Sequence, residues 1–178
     1  EKIASFMPDT RQTLMFSATM PPKIRDLAKK LLNNPKQVSL AISKPAAGVL
    51  QAVYLAHENQ KLGLISKLIR DKPNYKSIVI FSSRKKKVNE IVRALRSERF
   101  QVEGISSDYD QKQREAVLAS FKSKKTRIVV ATDVLSRGID IKDINLVINY
   151  DTPRNAEDYV RRVGRTARAD TTGGAITL

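Results

Sequence analysis

The sequence predicts a doubly wound α/β domain, and three observations carry that prediction. Short, β-branched, nearly continuous apolar runs recur at Ile78-Val79-Ile80-Phe81, Ile128-Val129-Val130-Ala131 and Leu146-Val147-Ile148, with a further run at Leu14-Met15-Phe16. Runs of this kind suit strands buried on both faces, as in a parallel sheet, better than half-exposed alternating strands. Between them lie segments with helical spacing of apolar residues, and strand–helix alternation is the signature of this class. Small polar and acidic residues follow each run, at the sheet edge where open parallel sheets bind ligands.

In chain order, Leu14-Met15-Phe16 reads as a strand running into Ser17-Ala18-Thr19. Pro21-Pro22 can open a helix through Leu31-Leu32, which Asn33-Asn34-Pro35 ends. A short strand is expected near residues 37–42. Residues 43–48 are small, with Pro45 and Gly48, and read as a linker. Residues 1–42 hold too few elements for a core of their own, so they read as the tail of a preceding domain. A strand near residues 50–56 opens the main domain, which runs over residues 49–178. Leu62, Ile65, Leu68 and Ile69 mark one helix, and Val88, Ile91, Val92 and Leu95 a second. Ala116, Val117 and Phe121 mark a third, with Asp110 as its N-cap. The last residues, Ala175 to Leu178, read as a strand cut short.

Composition narrows the function. The 178 residues contain 33 Lys plus Arg against 18 Asp plus Glu, a formal net charge of +15, with 41% hydrophobic residues. That hydrophobic share supports a packed core, and the charge points to a polyanionic partner. There is no cysteine, which excludes disulfides, thiolate nucleophiles and cysteine-ligated metals. His57 is the one imidazole, so histidine-based metal sites and serine–histidine chemistry are disfavoured. No apolar run approaches the roughly 20 residues needed to span a bilayer, and no targeting segment opens the sequence. The expectation is a basic, cytoplasmic protein with no membrane partner.

Two constellations carry chemistry. Arg161-Arg162-Val163-Gly164-Arg165-Thr166-Ala167-Arg168 places Arg162, Arg165 and Arg168 three apart, so a continued helix would align them on one side. Guanidinium groups presented together suit phosphate oxygens. Taken alone, the cluster reads first as a solvated basic face. The loop from Thr132 to Asp140 combines hydroxyls, two carboxylates, Arg137 and Gly138, and could hold a backbone phosphate and a ribose together. An Asp/Ser/Gly-rich turn with internal caps explains it equally well. The aromatic residues do not interleave with the basic ones as base-stacking platforms do, so a nucleic acid here would be held by its backbone.

The order of these motifs is more specific than any one of them. Ser17-Ala18-Thr19, Ile78 to Arg84, Gln111-x-x-Arg114, Ala131 to Asp140 and Arg162 to Arg168 together resemble the second half of a DEAD-box RNA helicase, over essentially the whole chain. The bacterial RhlE-like subgroup is the nearest resemblance, through the wording of residues 11–21 and Ala131-Thr132-Asp133-Val134. The resemblance implies the end of a first RecA-like domain, a linker, and a second RecA-like domain with its parallel sheet flanked by helices on both faces. It implies ATP hydrolysis, with Mg2+, coupled to local unwinding of RNA duplexes. Ser17 and Thr19 then match the motif coupling hydrolysis to unwinding. Phe81 and Ser82 match a strand end facing RNA, and Gln111, Arg114, Thr132 and Gly138 match RNA-backbone contacts. Arg137 and Arg162 match inter-domain contacts, and Asp140 the carboxylate at the ATP ribose. Arg165 and Arg168 match arginine fingers at the γ-phosphate.

The chain departs from the family at Arg161, usually His or Gln, at Ala167, usually Gly, and at Ser106-Ser107, often His-Gly. It holds neither a Gly-Lys-Thr phosphate loop nor an Asp-Glu-Ala-Asp run. The resemblance therefore implies that these belong to the rest of a first domain acting as this chain's partner, and that the chain alone neither binds ATP tightly nor turns it over. A related DNA helicase, or a non-catalytic nucleic-acid-binding module of the same architecture, remains the alternative.

Overall fold

The β-branched runs pair side by side. The computed structural model describes residues 4–8, 10–17, 20, 22–38, 48–133, 144–166 and 173–178. The chain divides into two units, Glu1–Ile42 and Ser43–Leu178. In the second unit the elements run β1 (Val49–Val53), α2 (Glu58–Arg70), β2 (Ile78–Phe81), α3 (Lys85–Ser97), β3 (Val102–Ile105), α4 (Gln111–Lys122), β4 (Ile128–Ala131), β5 (Leu146–Asn149), α5 (Ala156–Val163) and β6 (Gly173–Thr177). The six strands form one sheet in the order β1-β6-β5-β2-β4-β3, and every pairing is parallel. It is a RecA-like sheet. Of the expected linker only Gly48 is described, and its carbonyl accepts a hydrogen bond from Gly173 N at 3.2 Å.

Alternation within each run divides the core. Ile78, Ile80, Ile128, Val130, Leu146 and Ile148 pack with Ile65 and Ile69 of α2 and with Val88, Ile91, Val92 and Leu95 of α3. Their sequence neighbours Val79, Phe81, Val129, Ala131 and Val147 join the opposite cluster, with Phe121 of α4. Burying each such isoleucine or leucine contributes about 1.5–3 kcal/mol, which is why both faces of the central strands are apolar. Val49, Val163 and Ala175 make a smaller third cluster that seats α5 against β1 and β6.

β3 is a strand that the apolar runs do not announce, because its Val-Glu-Gly-Ile sequence is neither continuous nor β-branched throughout. Gly104 is there for closeness. A Cβ at that position would stand 3.2 Å from Val88 Cγ1 and 3.3 Å from Val92 Cγ2, so α3 can press onto the strand only without a side chain.

The first unit contains a short 3-10 turn at Ala4–Phe6 and α1 (Pro22–Leu31), which starts on proline as anticipated. The strand expected at Leu14-Met15-Phe16 is not formed, and Leu14 and Phe16 are exposed. A strand needs a hydrogen-bonded neighbour, and the described residues of this unit supply none. Of the short strand expected near residues 37–42, Gln37 and Val38 lie in no element and the rest falls outside the described residues.

The turns leading into β2, β3 and β4 share the amino edge of the sheet. α3 and α4 end in matching Schellman motifs. Arg99 N donates to Arg96 O and Phe100 N to Leu95 O; Lys124 N donates to Phe121 O and Lys125 N to Ser120 O. The residue closing each motif is left-handed, Arg99 at φ 66° and Lys124 at φ 62°. Glycine is usual there, and a side chain costs about 1–2 kcal/mol. The Arg127 guanidinium stitches the edge by donating to the carbonyls of Tyr75 (2.8 Å), Ile69 (3.0 Å) and Lys72 (2.7 Å). Lys124 Nζ donates to Ser77 Oγ at 2.6 Å. At the C-cap of α3, Glu98 accepts from Ser66 and Arg70 of α2.

Candidate functional site

At the opposite, carboxyl edge the ends of β2, β4 and β5 converge around one arginine. α5 delivers it. Asn155 caps the helix by accepting from Asp158 N at 2.8 Å, Glu157 and Asp158 occupy its first turn, and Arg161 and Arg162 its last. That charge order complements the helix dipole. Arg162 is 2% exposed. Its Nε and Nη2 donate to the two carboxylate oxygens of Asp133, just past β4, at 2.8 and 2.9 Å. Nη1 donates to Asn149 Oδ1 at 3.2 Å and to the Asp151 carbonyl at 3.0 Å, and the guanidinium lies 5.2 Å from the Phe81 ring centroid.

The expected helical row does not continue from Arg162 to Arg165, and Arg168 lies outside the described residues. α5 stops at Val163, and Gly164 N donates back to Val160 O at 2.7 Å. Thr166 bridges to Ile144 beside the sheet and its hydroxyl donates to the Ile144 carbonyl, which draws the chain out of the helix. Arg162 thus faces inward, while Arg165 sits half-buried beyond the helix end. Arg161 pairs with Asp158.

Beside this cluster, Asp151 receives three hydrogen bonds on one oxygen. Ser83 N donates at 2.7 Å, Ser82 Oγ at 2.8 Å and Ser83 Oγ at 3.0 Å. Burial pushes the carboxyl pKa up, but these bonds, with Lys61 nearby, outweigh burial and hold it below the ordinary 3.8. The serine-rich end of β2 is thereby locked to the end of β5.

Tyr150 anchors the next layer. Its ring is fully buried, its hydroxyl donates to Glu58 Oε1 at 2.9 Å, and Lys61 Nζ donates to its carbonyl at 2.8 Å. Lys61 and Lys87 lie 5.1 and 5.9 Å from the ring centroid. Burial, then the bond to Glu58, pushes the phenol pKa up to about 12. Lys87 also pairs with Glu58 at 2.9 Å, and that bond is the largest cause holding the Glu58 carboxyl below its ordinary range.

Several anticipated residues reach this edge. Phe81 and Ser82 are buried there as supports, and Thr132 is half-buried, its N–H donating to Ile105 O at 3.3 Å. Gln111 and Arg114 open α4, whose N-cap is Asp110 as anticipated, accepting from Gln113 N at 2.7 Å. Gln111 is exposed and donates to Glu115 Oε1 at 2.7 Å. Arg114 is half-buried, its Nε enclosed without a hydrogen-bond partner among the described residues. Ser17 is exposed in the first unit. Thr19, Arg137, Gly138, Asp140 and Arg168 lie outside the described residues. Asn149 and Asp151 carry no role in the sequence reading, and Asp133 enters it only as one of the two carboxylates of its loop. Their signal is their position at or just past the ends of core strands.

Residues 60–170 match the helicase conserved C-terminal domain family. The chain belongs to this family. Within it the likeness is to DEAD-box helicases. The chain is 40% identical over 179 residues to the DEAD-box ATP-dependent RNA helicase CshA of Geobacillus kaustophilus, covering 100% of this chain and 38% of the relative. It is 41% identical over 180 residues to DEAD-box ATP-dependent RNA helicase 40 of Oryza sativa subsp. japonica, covering 99% of this chain and 23% of that protein. The chain therefore spans well under half the length of these curated relatives. Among solved structures, S. cerevisiae Dbp5 bound to RNA and ADP BeF3 superposes with a TM-score of 0.86 at 29% identity, covering 99% of this chain and 47% of that one. A DEAD box protein from Methanococcus jannaschii superposes with a TM-score of 0.69 at 39% identity, over 99% of this chain and 47% of its own. This helicase C-terminal domain thus carries at the carboxyl edge of its sheet a rigid, arginine-centred junction.

Proposed function

We propose that this chain is the C-terminal part of an ATP-dependent RNA helicase, in which ATP hydrolysis drives local unwinding of RNA duplexes. The observation that carries the reading is the superposition over 99% of the chain on S. cerevisiae Dbp5 bound to RNA and ADP BeF3. The chain supplies the RNA-backbone grip and the arginines that reach nucleotide across a cleft, and a first RecA-like domain supplies the rest. Gln111, Arg114, Thr132 and Gly138 hold RNA phosphates and riboses, over a strand end stiffened by Phe81 and Ser82. Asp140 meets the ATP ribose. Arg165 and Arg168 stabilise charge on the transferring phosphate. Ser17, Thr19, Arg137 and Arg162 couple the two domains. The bidentate hold of Arg162 on Asp133 supports this assignment, because it fixes the segment from which Arg165 projects.

Among the described residues no three carboxylate or imidazole side chains gather to hold a metal. Mg2+ bound with ATP takes its protein ligands from the partner domain. The wording of residues 11–21 supports an RhlE-like subgroup, and the reading places the protein in the cytoplasm. Among the described residues no helix is long and apolar enough to cross a membrane.

The test is RNA-stimulated ATPase activity of the longer protein, compared with matched DNA. RNA is expected to stimulate more strongly, Arg165→Ala to abolish most of that turnover with the melting temperature unchanged, and this chain alone to show none. Equal stimulation by DNA, or full turnover in Arg165→Ala, overturns the reading.

A further inference from the structure

The amino edge of the sheet, the edge opposite the arginine-centred junction, carries a second and separate concentration of positive charge. Ten cations stand in segments 67–76, 96–101 and 122–127, against the two carboxylates Asp71 and Glu98. The hydrogen bonds of Arg127 and Lys124 already join the turns before β2 and β4, and Arg127 N donates to Gln101 O at 3.2 Å, which joins the turn before β3. The three segments therefore make one continuous rim. The intervening core strands are four residues long, about 13 Å of extended chain, so this rim and the strand-end site are distinct surfaces.

Cations at helix C-termini are favourable in themselves, because they offset the negative end of the helix dipole. Here that work is already done. Arg127 donates to the Ile69 carbonyl in the last turn of α2 and to the Lys72 and Tyr75 carbonyls in the turn beyond it, and Arg96 Nε donates to Val102 O at 3.1 Å. Lys72, Lys76, Arg99, Lys122 and Lys125 are exposed, and their side chains make no hydrogen bond or ion pair among the described residues. The backbone points the same way. The position after the C-cap is Lys72 in α2, Arg99 in α3 and Lys124 in α4, and two of the three hold a left-handed φ that glycine would adopt without strain. Two cations, Arg99 and Lys124, at positions where stability alone favours glycine mark a surface kept for its charge.

We propose that this rim is a second RNA-binding surface, which holds the phosphate backbone through the cations of the three helix–strand turns. None of the exposed large hydrophobic residues lies in these segments. An acidic protein partner would be anchored by apolar or aromatic groups at the centre of its interface, whereas a phosphate backbone needs only spaced cations. The choice of RNA among polyanions rests on the function proposed above. Engaged together, the two edges would hold separate stretches of one RNA, so the domain stays on its substrate when the strand-end contacts let go.

The experiment uses this chain and a single-stranded poly(U) oligonucleotide across a salt series. Lys72→Gln/Lys76→Gln/Lys125→Gln is compared with the equal-charge control Lys23→Gln/Lys29→Gln/Lys36→Gln in the first unit. The rim triple is expected to bind at least tenfold more weakly at low salt. Each lost phosphate contact contributes roughly 0.7 to the slope of log affinity against log salt, so the slope should flatten by about 2. The control is expected to change affinity less than twofold. Equal losses in the two triples, or an unchanged slope, overturn the rim. Arg99→Gly supplies a readout that a purely structural role would not give: its melting temperature should rise while RNA affinity falls, and a rise with affinity intact counts against the proposal. Poly-glutamate bound by the wild type as tightly as poly(U), and lost in the rim triple, would replace RNA by an acidic protein. Arg114→Ala on the same RNA reports the strand-end site independently, so failure of the rim and failure of the proposed function are separable.

Discussion

Arg162 and Asp133 form a two-pronged ion pair, at 2.8 and 2.9 Å, between the last turn of α5 and the end of β4. The arginine is almost wholly enclosed while the Asp133 side chain is 43% exposed, so the charge that would be stranded by a cut is on one side.

Asp133→Asn should therefore be more damaging than Arg162→Met, because it strands the enclosed guanidinium, whereas the reverse change leaves a carboxylate that water still reaches. Loss of one partner of a buried pair costs about 3–5 kcal/mol; the exposure of Asp133 puts this case near the lower figure. A domain of this size loses about 2–4 °C in melting temperature per kcal/mol, so a fall of roughly 6–12 °C is expected in thermal denaturation. Arg162→Lys should recover little, because an ammonium cannot make the parallel pair of bonds.

Asp151 makes stability acid-sensitive. Its folded pKa is held below the ordinary 3.8, so its contribution is whole above that value and is lost as pH falls through the folded one. Ser82→Ala/Ser83→Ala removes the two hydroxyl donors and leaves the Ser83 N–H. Denaturant titrations between pH 2 and 5 should show a shallower acid limb in this variant than in the wild type.

Tyr150 works at the other end of the scale. Its phenol pKa is pushed from 10.0 up to about 12, so its contribution is present below 10 and lost as pH rises toward 12. Tyr150→Phe keeps the buried ring between Lys61 and Lys87 but removes the bond to Glu58. It should cost about 1 kcal/mol at neutral pH and flatten the loss of stability between pH 10 and 12. An unchanged alkaline limb would show that other groups set it.

Gly104→Ala asks α3 to move. The new methyl meets Val88 and Val92 at 3.2 and 3.3 Å, and overpacking of this kind costs about 1–3 kcal/mol. Adding Val92→Ala opens the space, so the double variant should be less destabilised than the sum of the two single ones. Simple additivity in urea unfolding would refute the contact.

Legibility tracked how locally each feature is encoded. The core strands at residues 78–81, 128–131 and 146–148, and the helices through Ile65, Val88 and Phe121, follow from periodicity, because burial on two faces or one is written directly into residue order. Asp110 capping α4 was legible for the same reason. β3 was not, since Glu103 and Gly104 break its apolar run and only the pressure of α3 explains the glycine. The end of α5 was not legible either. Arginines spaced by three suggest a continuing helix, and what stops it is Thr166 pairing with Ile144, a contact between distant parts of the chain. Arg162 was singled out as an inter-domain arginine, and its bonds to Asp133, Asn149 and Asp151 depend on where three separate strands end.

The pairing of β1 with β6 bears on how the protein is made. Val49 lies opposite Gly173 and Val53 opposite Thr177, so the first strand of the sheet waits for the last. During synthesis a ribosome must pass residue 173 before that edge can close, since contacts so far apart in sequence form late. Until then β1 offers bare backbone flanked by Leu50, Val53 and Leu55, all strongly exposed even in the finished fold. Nascent chains stalled or cleaved before residue 173 should accordingly be sticky, and a chaperone that shields this one strand would protect them more than one that binds the central sheet.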